Sequence, residues 1–220
     1  MTYFGKIQSF HDRYPFVGPA LWILSIQYFV VQIVVARDWS QAYSYLHNTI
    51  SDLGNTSCSV YDNRYVCSPD HAVMNASLIV LGFTMLLGAT LLYCEFKQTT
   101  GSLLGFIGMG LAGLGTILVG LFPENTISSL HFIGALLPFL VGNLSIGWFG
   151  HTLDIPKWLR IYSFLTSTVT LLALVFFITH SYLGLGIGGM ERIVAYPQTV
   201  WLIVFGFYVS SNRFVRARAS

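Results

Sequence analysis

Six stretches of this sequence are each apolar over the roughly 20 residues that a helix needs to cross a hydrocarbon core. They run from Phe16 to Ala36, His71 to Cys94, Gly101 to Phe122, Leu130 to Gly150, Leu159 to His180 and Ile193 to Ser211. Little chain is left over for a separate soluble domain. Charged residues make up only 9% of the 220 residues and hydrophobic ones 54%, a balance that no water-facing surface around a domain of this size tolerates. The fold class is therefore all-α: a polytopic membrane helical bundle of about six transmembrane helices, forming one domain over residues 1–220. The first stretch is too long for a cleaved signal peptide and no small-residue cleavage site follows it, so it reads as a retained helix.

Orientation follows from lysine and arginine, which resist translocation in short loops. With both termini cytoplasmic, eight of the eleven basic residues lie inside: Lys6, Arg13, Lys97, Lys157, Arg160, Arg213, Arg216 and Arg218. Arg37, Arg64 and Arg192 are left outside. The expected location is a cell membrane, multi-pass and prokaryotic. The formal charge of +2 is accounted for by this asymmetry, so nucleic acid is not an expected partner. Cys58 and Cys67 both fall in the first outer loop, where an oxidising compartment would let them bridge, while Cys94 stands alone at the cytoplasmic end of its span.

That outer loop, from Arg37 to Asp70, carries an amphipathic pattern. Trp39, Tyr43, Leu46, Ile50 and Leu53 recur at helical spacing, and Gly54 follows as a stop. Ser44, His47, Asn48, Ser51 and Asp52 share the opposite face. The spacing predicts an outer-face amphipathic helix, either lying on the leaflet or turning its polar face toward a cavity among the helix tops. Asn55-Thr56-Ser57 is a formal glycosylation sequon in the same loop.

Other signals concern packing. Gly105, Gly108, Ala112 and Gly115 form a small-residue stripe that admits a neighbouring backbone. Ser163, Thr166, Ser167 and Thr170 place hydroxyls where they can bond to their own helix. Pro138 is expected to kink the fourth span.

Chemistry concentrates on the outer side. His47, His71, His131 and His180 map there, together with Asp52, Asp70, Glu124, Glu191 and Arg192, and ionisable groups at such depth are costly unless paired or hydrated. In Phe122-Pro123-Glu124-Asn125, Ser128 is expected to cap the fourth span and place His131 in its first turn, available as base or ligand. Gly184 to Arg192, reading GLGIGGMER, is expected to be a flexible approach to the last span. Its backbone N–H groups and Arg192 could hold a phosphate or carboxylate. The segment also fits GxGxxG, but it follows a membrane helix rather than a strand, which excludes the dinucleotide reading. No cofactor is expected. Zinc is the alternative, since outer histidines and carboxylates are suitable ligands, although no HxxxH or HExxH spacing occurs within a span.

The run Asn48-Thr49-Ile50-Ser51-Asp52-Leu53-Gly54, with Phe122-Pro123-Glu124, His131 and the Glu191-Arg192 pair, resembles the prokaryotic membrane family catalogued as domain of unknown function 998, across most of the chain. More remotely, the chain is similar to the Frag/DRAM/Sfk membrane family. That resemblance implies lipid headgroups at the outer leaflet as the target.

The leading expectation is a protein that binds or modifies a lipid or lipid-linked headgroup in an outer polar pocket, as a lipid hydrolase or acyltransferase in its enzymatic version. Asp52, His131, Ser51 and His47 are the catalytic candidates, with His131 as general base and Asp52 orienting it or a water. Arg192, Glu191, Asn48 and Glu124 are the substrate-binding candidates. Membrane lipid is the expected partner. The alternatives are an accessory or assembly subunit that buries these charges against another membrane protein, and a small transporter.

Overall fold

A computed structural model describes the backbone of residues 3–219 and the side chains of residues 4–213. Arg216 and Arg218, counted above among the cytoplasmic basic residues, have side chains outside that range. An amphipathic helix α1 (Tyr3–Arg13) precedes six long apolar helices: α2 (Val17–Arg37), α3 (His71–Glu95), α4 (Thr100–Leu121), α5 (Ser128–Thr152), α6 (Lys157–Ile178) and α7 (Gly186–Ala219). Their apolar spans of 21 to 28 residues are enough to cross a bilayer, and the chain is a multi-pass membrane protein.

Each of the six long helices packs on the next in sequence, and α2 closes the ring against α7. Small residues set the closest approaches. A Cβ on Gly82 of α3 would lie 2.5 Å from the Gly113 carbonyl of α4, so these two backbones meet with no side chain between them. The stripe Gly105, Gly108, Ala112 and Gly115 faces α5, against Phe149, Ser145, Gly142 and Gly134 in turn. In α6, Ser163 and Thr170 donate to the carbonyls of Leu159 and Thr166, as the hydroxyl pattern predicts.

The half of the ring nearer the termini is filled by aromatic rings. Trp22, Phe106, Phe149, Trp201 and Phe205 form one buried cluster contributed by α2, α4, α5 and α7. Both indole N–H groups are satisfied, Trp22 on the Met85 carbonyl and Trp201 on Ser163 Oγ. Pro138 does interrupt α5: residues Leu137–Gly142 form a π-helical turn there, where the proline removes a donor from the helical ladder.

At the opposite end the loop between α2 and α3 departs from expectation. Residues Trp39–Leu53 form turns rather than an amphipathic helix, with a single 3-10 turn at Ser51–Gly54. The reason lies in competing partners for the backbone. Asn48 Oδ1 accepts the Ser44 N–H, Ser44 Oγ accepts the His47 N–H, and Thr49 and Asp52 bond reciprocally through side chain and backbone. The loop also contains a hairpin of β1 (Ser59–Tyr61) and β2 (Arg64–Val66), paired Ser59 with Val66, Val60 with Tyr65 and Tyr61 with Arg64. Asp62 and Asn63 make its two-residue turn with positive φ of 46° and 62°, the conformation that matches strand twist in tight hairpins. Cys58 and Cys67 are disulfide-bonded across its base.

Two boundaries also shift. Ser128 does not cap α5; it is the first helical residue, and its hydroxyl donates to the Glu124 carbonyl. The glycine-rich run before Arg192 is not a flexible approach but the first turn of α7, which starts at Gly186. Gly188 and Gly189 donate their N–H groups to the Leu46 carbonyl, so the loop satisfies two donors of the helix start. A Cβ on Gly188 would sit 2.1 Å from the Asn48 carbonyl, which is why glycine is needed for this contact.

Candidate functional site

The site is built at the hairpin end from three layers, beginning with the loop. Arg192 projects from α7 into the turns of Tyr43 to Asn48. Its Nη1 donates to the carbonyls of Tyr45, Asn48 and Gly188 at 2.8–2.9 Å, its Nη2 to the Tyr43 hydroxyl, and its Nε to the Tyr196 hydroxyl at 3.2 Å. The rings of Tyr43 and Tyr45 flank the guanidinium. An arginine so engaged fixes the loop backbone, and neither it nor the N–H groups of Gly188 and Gly189 stand open to an anion.

Behind this loop lies a carboxylate pair. Asp52 is completely buried, and Arg64 of the hairpin forks onto it, Nε to Oδ2 at 2.8 Å and Nη2 to Oδ1 at 2.9 Å. Arg64 also reaches Asp62 at 2.7 Å. Glu124, from the loop between α4 and α5, faces Asp52 and takes a hydrogen bond from Asn55 Nδ2. Burial pushes the Glu124 carboxyl up to about 9, helped by the negative charge of Asp52. Burial acts on Asp52 in the same direction, but the Arg64 hydrogen bonds and charge, with the bond from Glu124, outweigh it and hold Asp52 below the ordinary range. Asp52 is thus the ionised member and Glu124 the protonated one. Asn55 is fully buried, which removes the sequon from the surface.

The third layer is a polar relay. Ser51 Oγ lies 3.0 Å from His131 Nε2 and 3.2 Å from Glu191 Oε1. His131 Nδ1 lies 2.9 Å from the Phe122 carbonyl, which can only accept, so Nδ1 carries the hydrogen and Nε2 of the neutral ring is free to accept from Ser51. Glu191 Oε2 accepts the Ile50 N–H. His131 and Glu191 are 4% exposed, whereas Ser51 is half-buried and reaches open space.

That space is a cavity of about 530 Å³ between the tops of α5, α6 and α7 and the hairpin. Ser51, His131, Glu124, Glu191 and Arg64 line it, with Phe132, Phe139, Phe177 and Ile178 supplying an apolar side. Phe132 and Ile178 are 62% and 59% exposed on the outer surfaces of α5 and α6, so the cavity's apolar margin is continuous with the apolar sides of the bundle.

The candidate residues therefore divide. Ser51, His131, Glu191 and Glu124 share the cavity. Asp52 makes no hydrogen bond to His131; it serves Arg64, and the Phe122 carbonyl holds the imidazole in its place. His47 is exposed, and Asn48 is a buried brace whose carbonyl and side chain bond to Arg192, Tyr43, Ser44 and Asp52. Arg64, Tyr61 and Tyr182 line the cavity without having been site candidates, as does His180, which was counted among the outer histidines but given no role. Arg64 was legible as one of three basic residues against the charge bias, but its partner was not. Among the described residues no three His, Cys, Asp or Glu side chains gather as a metal set.

A family model described as a protein of unknown function, DUF998, matches residues 23–208. No curated protein matches, and no solved structure does.

Proposed function

This chain belongs to the DUF998 family of proteins of unknown function, and from that starting point we propose that it is a membrane-embedded lipid hydrolase or acyltransferase. Its cavity at the hairpin end takes the headgroup region of a lipid, with Ser51 as nucleophile and His131 as base. The observation that carries this reading is the Ser51 hydroxyl held against His131 Nε2 on the wall of a cavity whose margin is apolar. In the reaction, Ser51 Oγ bonds to the ester carbonyl carbon while its proton passes to His131 Nε2. The ester C–O bond then breaks and the departing alcohol takes that proton. Water or an acceptor hydroxyl releases the acyl group from Ser51, its own proton returning through His131. The disulfide and the bias of basic residues toward the other end support a hairpin end that faces the oxidising side, with both termini cytoplasmic.

The test is covalent capture with an alkyl fluorophosphonate on the protein in lipid nanodiscs, read by peptide mass spectrometry. Labelling confined to Ser51, and slowed in His131→Gln, is the expected result. An unlabelled Ser51 in folded protein overturns the nucleophile assignment.

A further inference from the structure

Behind Ser51 and Glu191 a second, smaller cavity of about 60 Å³ lies among the helices. Ser51, Glu191, Ala135 and Phe139 line both spaces, so this chamber meets the outer cavity at the relay itself. Its remaining walls are mostly apolar, from Ile50, Leu78, Leu81, Met85, Val119, Pro138 and Ala195. Beyond it lies the aromatic cluster: Trp22 bonds to the Met85 carbonyl and Trp201 follows Gln198 by one turn of α7.

Two side chains do not fit an apolar chamber. Tyr28 and Gln198 line it, both residues are only 4% exposed, and neither the hydroxyl nor the amide hydrogen-bonds to another described residue. Thr116 and Thr199, by contrast, line the same space but donate to the Ala112 and Ala195 carbonyls. Buried amides and phenols are rarely left without partners, and a ligand that both donates and accepts is required to meet them. Gln198 lies seven residues after Glu191, two helical turns deeper on one face of α7, so the two residues line one compartment.

We propose that this chamber is an internal water site that serves the relay: a few waters, held by Tyr28 Oη and the Gln198 amide, reach Glu191 and exchange protons with it. The volume has room for about four waters. The relay geometry makes this exchange consequential. With Glu191 protonated it donates to Ser51 and Ser51 to His131 Nε2; with Glu191 ionised the order reverses, from a doubly protonated His131 through Ser51 to the carboxylate. The two arrangements differ by a shift of protons along three side chains, with no atom gained or lost. Chamber water hydrates the Glu191 end of that relay from the side away from substrate. The inference rests on the relay's geometry and not on the ester chemistry proposed for it.

Hydroxyl-radical footprinting with mass spectrometry, on the protein in nanodiscs, tests it, because radicals generated from bound water modify the side chains beside that water. Met85 lines the chamber, while Met74 and Met109 are as deeply buried but line neither cavity. Met85 oxidation well above that of Met74 and Met109 is expected, falling toward theirs in Tyr28→Phe and in Gln198→Leu. Tyr28→Phe removes one oxygen and guards against loss of fold. Met85 as protected as Met109 overturns the proposal, and native mass spectrometry of the same sample then shows whether an acyl chain occupies the chamber instead. The fluorophosphonate result is independent of either outcome.

Discussion

Ser51 Oγ and His131 Nε2 stand 3.0 Å apart across 80 residues of sequence, one on a loop turn and the other in the first turns of a membrane helix. If this pair is a nucleophile and its base, Ser51→Ala abolishes fluorophosphonate capture. His131→Gln, which keeps a polar group without a usable base, slows it by about 10²–10⁴-fold. Rates of adduct formation by mass spectrometry decide this. Equal rates in wild type and His131→Gln would remove the base role.

Arg64 is the counter-ion of a carboxylate with no exposure, so removing it strands a buried charge. Arg64→Leu is expected to destabilise by about 3–5 kcal/mol. The double change Asp52→Asn with Arg64→Leu should recover part of that loss. Unfolding midpoints in one detergent give the comparison, and a double variant no better than Arg64→Leu would contradict the pairing.

The Cys58–Cys67 bridge closes a short loop around the hairpin that carries Arg64. Replacing both cysteines by serine is expected to cost about 2–3 kcal/mol. Because bridge and ion pair hold the same element, the cost combined with Arg64→Leu should be less than additive. Strict additivity would show that the hairpin is held independently by each.

Glu124 gives the pair its pH response. Its folded value of about 9 lies above the ordinary carboxyl value, so its contribution to stability is complete below the unfolded value. That contribution is lost as pH rises through the folded one, by about 1.4 kcal/mol per pH unit at the steepest. Asp52 has the opposite sign: its contribution holds above the unfolded value and is lost as acid drives pH down through its depressed folded value. Glu124→Gln should therefore flatten the alkaline limb of a plot of unfolding midpoint against pH and leave the acid limb in place. An unchanged alkaline limb would place the titrating group elsewhere.

Arg192 meets its acceptors in several directions, which a lysine ammonium cannot reproduce. Arg192→Lys is expected to lose about 3 kcal/mol or more and to expose the segment from Tyr43 to Asn48 to protease. Limited proteolysis with mass mapping reads this out. A lysine variant as resistant as wild type would mean that the tyrosine rings alone hold the loop.

How much of this was legible in sequence depends on range. The six spans, the disulfide, the small-residue stripe of α4 and the interruption at Pro138 are local consequences of composition and spacing, and the structure carries each of them, although the π-helical form of that interruption was not legible. The segment from Trp39 to Leu53 has helical periodicity and yet forms turns, because Arg192 and the side chains of Ser44, Asn48, Thr49 and Asp52 claim its backbone groups. Periodicity reports which faces are apolar; it does not report which distant donors compete for a carbonyl. The same limit applied to the site. His131, Ser51, Glu124 and Glu191 stood out as ionisable or nucleophilic groups gathered near one membrane face, but Asp52 was paired with the wrong partner. Its true counter-ion lies twelve residues on, beyond a hairpin turn. Membrane burial itself was determined by the sequence alone, since the bilayer selects helices by length and apolarity. The relay of His131, Ser51 and Glu191 was decided only by tertiary structure, since hydrogen bonds of about 3 Å between residues 80 and 140 positions apart depend on how the helices close into a ring.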